Sequence, residues 1–445
     1  MTKEAHSGTG PPRSLGRPAA VTRIQGGGTR SVYPNKVAVD RNAGGKVTYV
    51  SDPSRGVDAK IDPRTGRATQ ISIVRPGSRT IVQRGPLNDR RIEMTRTVPG
   101  GVERVVHYGN WSSVQRPISG RPHYVQRTIF VGGRSYAAVY HSYSYHGVTL
   151  FSPVPAVVFA PAYYGWLINP WRQPVIYTWD WTGQPWYDYY AASFAPYPAY
   201  ASADQWLTDY VIAASLQQAY DDQQSQDGGP VASTVTSAPQ ITAEEKAIVN
   251  QDVKDELAQE QQFALNPTKV DPPQETAQDQ KKEDLTPETT TVVPEALKAH
   301  QFFVHPAPLE VQQTSGKTCS LTEGDMLYRK GDALAADNTV EVEVKHSRGG
   351  ASHTELCAPQ ARVRVQLSDL QEMYNYRRDL MAEGEKQAST VGQKHGLPKG
   401  PNLKPTQLAR GKADPDAGVG EDLKQLLRDA DETERDVSAT ATAGS

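Results

Sequence analysis

The chain has 445 residues, of which 37% are hydrophobic, and it contains 33 prolines and 36 glycines. A globular domain is usually about 45–50% apolar, so this composition argues against a single large core and predicts several modules joined by linkers. The formal net charge of −2 argues against a polyanionic partner such as nucleic acid. The charge is uneven, because residues 1–134 carry 23 Lys/Arg against 8 Asp/Glu, whereas residues 221–300 carry 6 against 16. A basic region followed by an acidic linker can bind an acidic surface, can fold back on itself, or can consist of solvated faces.

The first 134 residues are predicted to form a tail and a β-rich region. Residues 1–30 are rich in Gly, Pro, Ser and Arg and are predicted to be disordered. They contain no visible secretory signal peptide. Residues 31–134 contain short alternating segments, such as 46–50 and 124–131, separated by turn sequences such as DPSRG. This pattern predicts basic hairpins with one solvated face.

Residues 135–222 are predicted to form an aromatic-cored module, because residues 135–220 hold 14 of the 21 tyrosines and 6 of the 7 tryptophans. Prolines and glycines argue against long helices before a single helix at 202–222. The longest apolar run, 148–168, contains three prolines, so we expect no transmembrane segment. The aromatic rings can form an internal core or present a platform for carbohydrate or peptide. We set aside stacking of single-stranded nucleic acid, because Arg172 is the only basic residue among them. The candidate ligand-binding residues are Trp166, Trp171, Trp179, Trp181, Trp186 and, in the C-terminal module, Tyr328.

Residues 223–293 are predicted to be an acidic linker with one helix at 241–262, which begins with a capping box of Thr242 and Glu245.

Residues 294–390 are predicted to form an SH3-like barrel of about five strands followed by a helix at 368–387. The only two cysteines, Cys319 and Cys357, fall in this barrel. They favour one disulfide and an oxidising compartment, with a reduced buried pair as the alternative. Residues 391–445 predict a disordered tail with a short helix near 421–431.

A search for catalytic chemistry finds no nucleophile elbow, phosphate-binding loop, dinucleotide fingerprint or zinc motif in the sequence. His141 and His146 have no obvious third ligand, so we expect neither a metal nor a cofactor. The carboxylates Asp180, Asp188, Asp204 and Asp209 lie among the aromatic residues. Carboxylates beside tryptophans are what a glycosidase requires, and Asp180 or Asp188 would be the acids in that alternative.

Two parts of the sequence resemble known groups of proteins, and each resemblance adds a prediction. Residues 61–69, Ile-Asp-Pro-Arg-Thr-Gly-Arg-Ala-Thr, resemble the tyrosine–aspartate repeats of bacterial shell-forming toxin proteins, which implies a β-ribbon near residues 45–75. Residues 134–140, 163–171, 206–210 and 367–373 resemble a group of uncharacterised bacterial exported proteins in which a Tyr/Trp/Pro-rich segment precedes an SH3-like domain. That resemblance implies a periplasmic or extracellular location and no known activity.

The sequence therefore predicts a mainly β, non-catalytic envelope or extracellular protein that binds a cell-wall polymer, a carbohydrate or a peptide, or that has a structural role. Its oligomeric state is left open. A carbohydrate-active hydrolase and a subunit of an extracellular assembly, joined by pairing of β-strand edges, are the alternatives.

Overall fold

The computed structural model describes the chain in sixteen stretches. They comprise residues 15–84, 90–109, 111–131, 134–227, 240–265, 288–298, 301–305, 309–322, 324–331, 333–347, 356–392, 395–401, 405–408, 411–413, 416 and 418–443. The fold is mainly β, as the sequence predicts. The chain divides into two compact units: one combines residues 1–107 with 416–445, and the other comprises residues 108–415. The sequence predicts that the basic β-rich region ends at residue 134.

The first unit contains an antiparallel meander in which each strand pairs with the next along the chain. Its strands are β1 (Ala20–Arg23), β2 (Thr29–Val32), β3 (Ala38–Arg41), β4 (Val47–Asp52), β5 (Val57–Ile61), β6 (Ala68–Arg75), β7 (Ser78–Arg84), β8 (Arg90–Val98) and β9 (Gly101–Tyr108). The predicted turn chemistry is visible at Gly56, where φ is +65° and a Cβ atom would lie 2.0 Å from the carbonyl oxygen of Val74. Only glycine fits this turn without strain.

One face of this meander is apolar, because side chains alternate along each strand and the register aligns the buried ones. The aligned residues on neighbouring strands are Val39, Val50, Ala59, Ile71, Val82 and Ile92. A helix from the far end of the sequence, Val419–Ala443, packs against β4 and β6. We call it the distal helix. Its buried residues are Val419, Leu426, Ala430, Thr433, Val437 and Ala441.

The second unit contains the remaining strands and five helices. Its elements up to residue 265 are β10 (Trp111–Pro117), β11 (Tyr124–Val131), β12 (Arg134–Tyr145), β13 (Val148–Val154), β14 (Val157–Val158), α1 (Pro161–Ile168), α2 (Pro185–Tyr190), α3 (Ala203–Asp227) and α4 (Ala243–Leu265). They are followed by β15 (Glu288–Thr289), β16 (Gln301–Val304), β17 (Leu309–Gln313), β18 (Thr318–Leu321), β19 (Met326–Arg329), β20 (Thr339–His346), β21 (Arg362–Gln366), α5 (Leu367–Gln387) and β22 (Thr406–Gln407). Strands β10 to β13 form an antiparallel meander, and β15 adds to β12 in parallel.

The C-terminal part of the second unit is a six-stranded sheet in the order β16-β19-β20-β21-β17-β18. The predicted disulfide is confirmed: Cys319 on β18 is bonded to Cys357, and both residues are buried. Helix α5 follows β21 directly and packs against β13, β16, α3 and β21. The prediction of an SH3-like barrel remains a prediction, because strand order alone does not establish that fold.

Several predicted segments differ from the structure. The segment predicted to be disordered before residue 31 contains β1 and part of β2, because the glycines at 26–28 form a turn between two pairing strands. The predicted disordered tail contains the 25-residue distal helix, which is stabilised by its apolar face packing on the sheet. The aromatic module has three helices rather than one, because Pro161 and Pro185 occupy first-turn positions, where a missing N–H costs nothing.

The predicted acidic linker is described only in part. Residues 228–239 and 266–287 lie outside the described residues, as do residues 348–350 of a turn that the sequence predicts at 347–350 and residues 1–14 of the predicted N-terminal tail. Within the linker, α4 confirms the predicted helix. Its capping box is present, since the Thr242 hydroxyl accepts from the Glu245 amide at 3.2 Å and the Thr242 amide donates to the Glu245 carboxylate at 2.8 Å.

Candidate functional site

A row of stacked aromatic rings forms the centre of the predicted aromatic module. The ring centroids of Trp181 and Trp179 lie 3.8 Å apart, those of Trp179 and Trp206 lie 5.1 Å apart, and both pairs are parallel to within 8°. Tyr210 continues the row at 5.5 Å from Trp206, because the two residues are one turn apart on α3. Trp179 is therefore enclosed on both faces by other tryptophans.

The other predicted ligand-binding residues fall into two apolar clusters. Trp166 and Trp171, whose ring centroids are 6.2 Å apart, pack against the cluster that also contacts Trp179. Trp186 on α2 is buried in a second cluster together with Tyr328 on β19. Trp181 contacts Trp186 edge to face at 5.5 Å. The structure thus places all six residues against apolar cores, and the most buried of them, Trp186 and Tyr328, serve as core residues.

Three of these tryptophans are only partly buried and have unsatisfied indole N–H groups. The Nε1 atoms of Trp166, Trp171 and Trp181 are themselves buried and have no acceptor among the described residues. In contrast, Nε1 of Trp179 donates to the Tyr200 hydroxyl at 2.8 Å. The partly exposed rings of Trp166, Trp171 and Trp181 are suited to cover the apolar face of a ligand such as a sugar or a peptide.

A buried ion pair between α3 and α4 holds this aromatic row in place. Asp209 accepts hydrogen bonds from the Tyr200 hydroxyl at 2.7 Å and from the Tyr197 amide at 2.6 Å, and its other oxygen lies 2.6 Å from Nζ of Lys246. Burial raises the pKa of Asp209 and lowers the pKa of Lys246, and in each case the partner's charge opposes the change. Because Tyr200 also binds Trp179, this pair fixes the position of the stacked tryptophans.

The four carboxylates of the hydrolase alternative lie in two different environments. Asp180 is 74% exposed, with the imidazole of His395 3.5 Å away, and Asp188 on α2 is also exposed. Asp204 and Asp209 are fully buried in α3. Asp204 accepts a hydrogen bond from the Asn250 amide at 2.6 Å. The two candidate acids, Asp180 and Asp188, are therefore solvent-exposed side chains, whereas the buried carboxylates of α3 are bound by protein donors.

A second charged network, between α4 and α5, was missed in the sequence analysis. The guanidinium of Arg377 is buried and donates to Asp252 and to the carbonyl oxygen of Phe302, at 2.8 Å and 2.7 Å, and also to Glu256. Asp252 in turn accepts from the Phe302 amide at 2.7 Å. Burial raises the pKa of Asp252 to about 6, although Arg377 opposes the shift. The four-residue spacing of Asp252, Glu256 and Glu260 could have indicated this network, because it places three carboxylates along one side of α4.

A buried arginine also connects β11 to α5. The Nε atom of Arg127 donates to the Ser113 hydroxyl at 2.5 Å, and a terminal nitrogen donates to Glu372. The guanidinium lies 5.6 Å from the Trp111 ring centroid and 5.4 Å from that of Tyr140. Glu372 supplies the opposite charge to Arg127, and two aromatic rings lie beside its guanidinium. These contacts stabilise the packing of β11 against α5.

His346, at the end of β20, is a buried histidine that the sequence analysis did not single out. Both of its ring nitrogens lack a hydrogen-bond partner in the part of the chain that the structure describes, and burial lowers its pKa to about 4. His141, one of the two histidines considered for a metal, instead contacts the rings of Tyr124 and Tyr143. Across the described ranges, no group of three or more His, Cys, Asp or Glu side chains is placed to hold a metal ion.

Comparisons with protein-family models, with curated proteins and with solved structures gave no match to this chain. The helices that the structure describes are each too short or too polar to cross a lipid bilayer.

Proposed function

We propose that this chain is a non-catalytic, exported binding protein that recognises a carbohydrate or peptide, such as a component of the cell wall, through its aromatic module. The observation that carries the proposal is the set of three tryptophan side chains that are partly exposed, Trp166, Trp171 and Trp181. The exposed part of each ring would cover apolar surface of the ligand.

The location outside the cytoplasm is part of the same proposal. The disulfide between Cys319 and Cys357 is compatible with a non-cytoplasmic location, because cytosolic thiols are usually kept reduced. The test is the intact mass of protein taken from its native cells and alkylated without reductant. Two thiols that become alkylatable only after reduction would support a periplasmic or extracellular location. Two freely alkylated thiols would contradict it.

The ligand proposal is tested by calorimetric titration with soluble peptidoglycan fragments and chitooligosaccharides. Alanine at position 166, 171 or 181 removes the ring surface that would cover the ligand, so we expect at least a fivefold weaker affinity, since one aromatic contact contributes about 1 kcal/mol. Phenylalanine at the same positions is the matched control, because it keeps an aromatic face and should keep most of the affinity.

The titration also separates the alternatives. Equal affinity of the wild type and all three alanine variants, or no binding to any of these probes, would contradict the ligand proposal. Release of reducing sugar during the titration would instead support the carbohydrate-hydrolase alternative.

A further inference from the structure

Lys246 on α4 and Asp209 on α3 form a pair that is shielded from solvent. Their side chains are 7% and 0% exposed, and Nζ of Lys246 lies 2.6 Å from Oδ1 of Asp209. Two aromatic rings cover the amine, since the ring centroids of Tyr197 and Phe194 lie 3.7 Å and 5.6 Å from Nζ. Buried lysine normally requires a partner, and here the partner is a carboxyl group, whose carbon an amine can attack.

The two oxygens of the Asp209 carboxyl have different surroundings. Oδ2 accepts hydrogen bonds from the Tyr197 amide at 2.6 Å and from the Tyr200 hydroxyl at 2.7 Å. Apart from Lys246, no donor of the described residues binds Oδ1. Two donors directed at one oxygen stabilise the negative charge that develops there when a nucleophile adds to the carboxyl carbon. Oδ1, which faces the amine, is then the oxygen that can leave.

The amine of Lys246 is held beside this carbon. Nζ donates to the carbonyl oxygen of Ala195 at 2.9 Å, and it can lie no farther from Cγ of Asp209 than the contact with Oδ1 plus one C–O bond. Burial lowers the pKa of Lys246 and raises the pKa of Asp209, which favours the neutral amine and the neutral acid. Well-oriented groups within one molecule react at effective concentrations of about 10⁵–10⁸ M.

We propose that Lys246 and Asp209 condense into an amide bond between their side chains, which crosslinks α3 to α4 and releases one water molecule. A proton passes from the ammonium to Oδ1, and the nitrogen lone pair then attacks Cγ. The nitrogen gives a second proton to Oδ1, which leaves as water as the Cγ–Oδ1 bond breaks. Oδ2 becomes the amide oxygen and keeps its two donors. The reaction requires no oxidant or co-reactant.

The ion pair is the state before this reaction, so newly folded protein has the ion pair and the mass of the unmodified chain. Once formed, the bond would fix the carboxyl group that holds Tyr200, and with it the Trp179 ring that Tyr200 accepts. The proposal rests on contacts around α3 and α4, and it is independent of the ligand proposed for the aromatic module.

The mass of the full-length chain tests the crosslink. After the folded protein has been incubated for several days at neutral pH, we expect more than half of it to be lighter by one water molecule. Trypsin should no longer cleave after Lys246 in that fraction, so that residues 173–254 appear as one peptide in place of residues 173–246. Protein incubated in guanidinium chloride is the control, because an unfolded chain does not hold the two groups together and should keep its full mass.

Two variants locate the bond. Lys246→Arg keeps the positive charge, but its guanidinium stays protonated and is a poor nucleophile, so this variant should keep its full mass. Lys254→Arg is the matched control. Lys254 lies 3.5 Å from Asp204 but is 37% exposed, so its replacement should leave the loss of water unchanged.

The wild-type measurement requires no variant to fold. The proposal is overturned if the incubated, folded wild type keeps its full mass. It is equally overturned if water is lost while trypsin still cleaves after Lys246, which would indicate dehydration elsewhere in the chain. Fragmentation of the linked peptide that places the bond on Lys254 or on Asp204 would also overturn it.

Discussion

The disulfide provides the prediction with the clearest magnitude. Cys319 and Cys357 are 38 residues apart, so the bond closes a loop of that length in the unfolded chain. The loop-entropy relation for such a loop gives about 4 kcal/mol of stabilisation at 25 °C. We therefore expect reduction of the wild type, or the double substitution Cys319→Ala and Cys357→Ala, to lower the free energy of unfolding of the second unit by about that amount.

Tryptophan fluorescence during urea denaturation is the appropriate assay, because all seven tryptophans lie between residues 108 and 415 and report on the second unit alone. Alanine is preferred to serine at both positions, since the sulfur atoms are buried and a hydroxyl would lack a partner. The reduced wild type keeps both side chains and serves as the control for packing.

The reasoning would be refuted if the oxidised wild type, the reduced wild type and the alanine variant all unfolded at the same urea concentration. That result would mean that the loop between the cysteines is already constrained without the bond. A loss in the alanine variant but not in the reduced protein would assign the stabilisation to packing rather than to chain entropy.

Three further predictions concern buried charges of the second unit, and each uses the same fluorescence assay. Arg377→Met leaves the buried carboxylate of Asp252 without a guanidinium, whereas Glu256 keeps Arg378 at 3.3 Å, so we expect it to destabilise the unit by about 3 kcal/mol. A loss below about 1 kcal/mol would show that those carboxylates are protonated or hydrated in the folded protein. Lys246→Met should destabilise similarly, and adding Asp209→Asn should recover at least half of the loss, because no unpaired charge then stays buried. Failure of the second substitution to recover stability would argue against the ion pair. His346 has its pKa lowered to about 4 in the folded protein, so the unfolded chain binds more protons between pH 4 and 6.5. Stability from His346 is present above pH 6.5 and lost as the pH falls toward 4, by about 3 kcal/mol at most, and His346→Gln should remove this part of the pH dependence. Identical pH profiles for the two proteins would contradict it.

Local pattern predicted much of the fold. Strands with alternating apolar residues, such as residues 46–50, and the helix that begins at the Thr242 capping box were recognisable because their signals lie within a few residues. The disulfide was predictable because only two cysteines occur. The mainly β class followed from the same repeated strand and turn signals.

Features that depend on distant residues were not predictable in this way. The glycines at 26–28 suggested disorder, and their role as a turn depends on the strands that pair on either side. The sequence predicts only a short helix near 421–431. The longer distal helix is stabilised by contacts of its carboxylates and small residues with the sheet, and the local sequence does not show those contacts.

The candidate site shows the same division. The sequence singled out Trp166, Trp171 and Trp181, which the structure leaves partly exposed with unsatisfied donors. It also singled out Trp186 and Tyr328, which the structure buries in a core. The number of aromatic residues in a segment does not reveal which of their rings face the interior. The buried partners Asp209 and Lys246 lie on different helices, so their pairing depends on how α3 and α4 pack.

The two-part composition of the first unit has a consequence for how the protein is made. Ribosomes add about 5–20 residues per second, so roughly 20–70 s separate the synthesis of β7 from that of the distal helix. For that interval the apolar face of the sheet lacks the helix that covers it in the finished unit. We therefore expect the first unit to complete its folding only after residues 419–443 have been synthesised. Until then, we expect the exposed apolar face to make the nascent chain prone to aggregation.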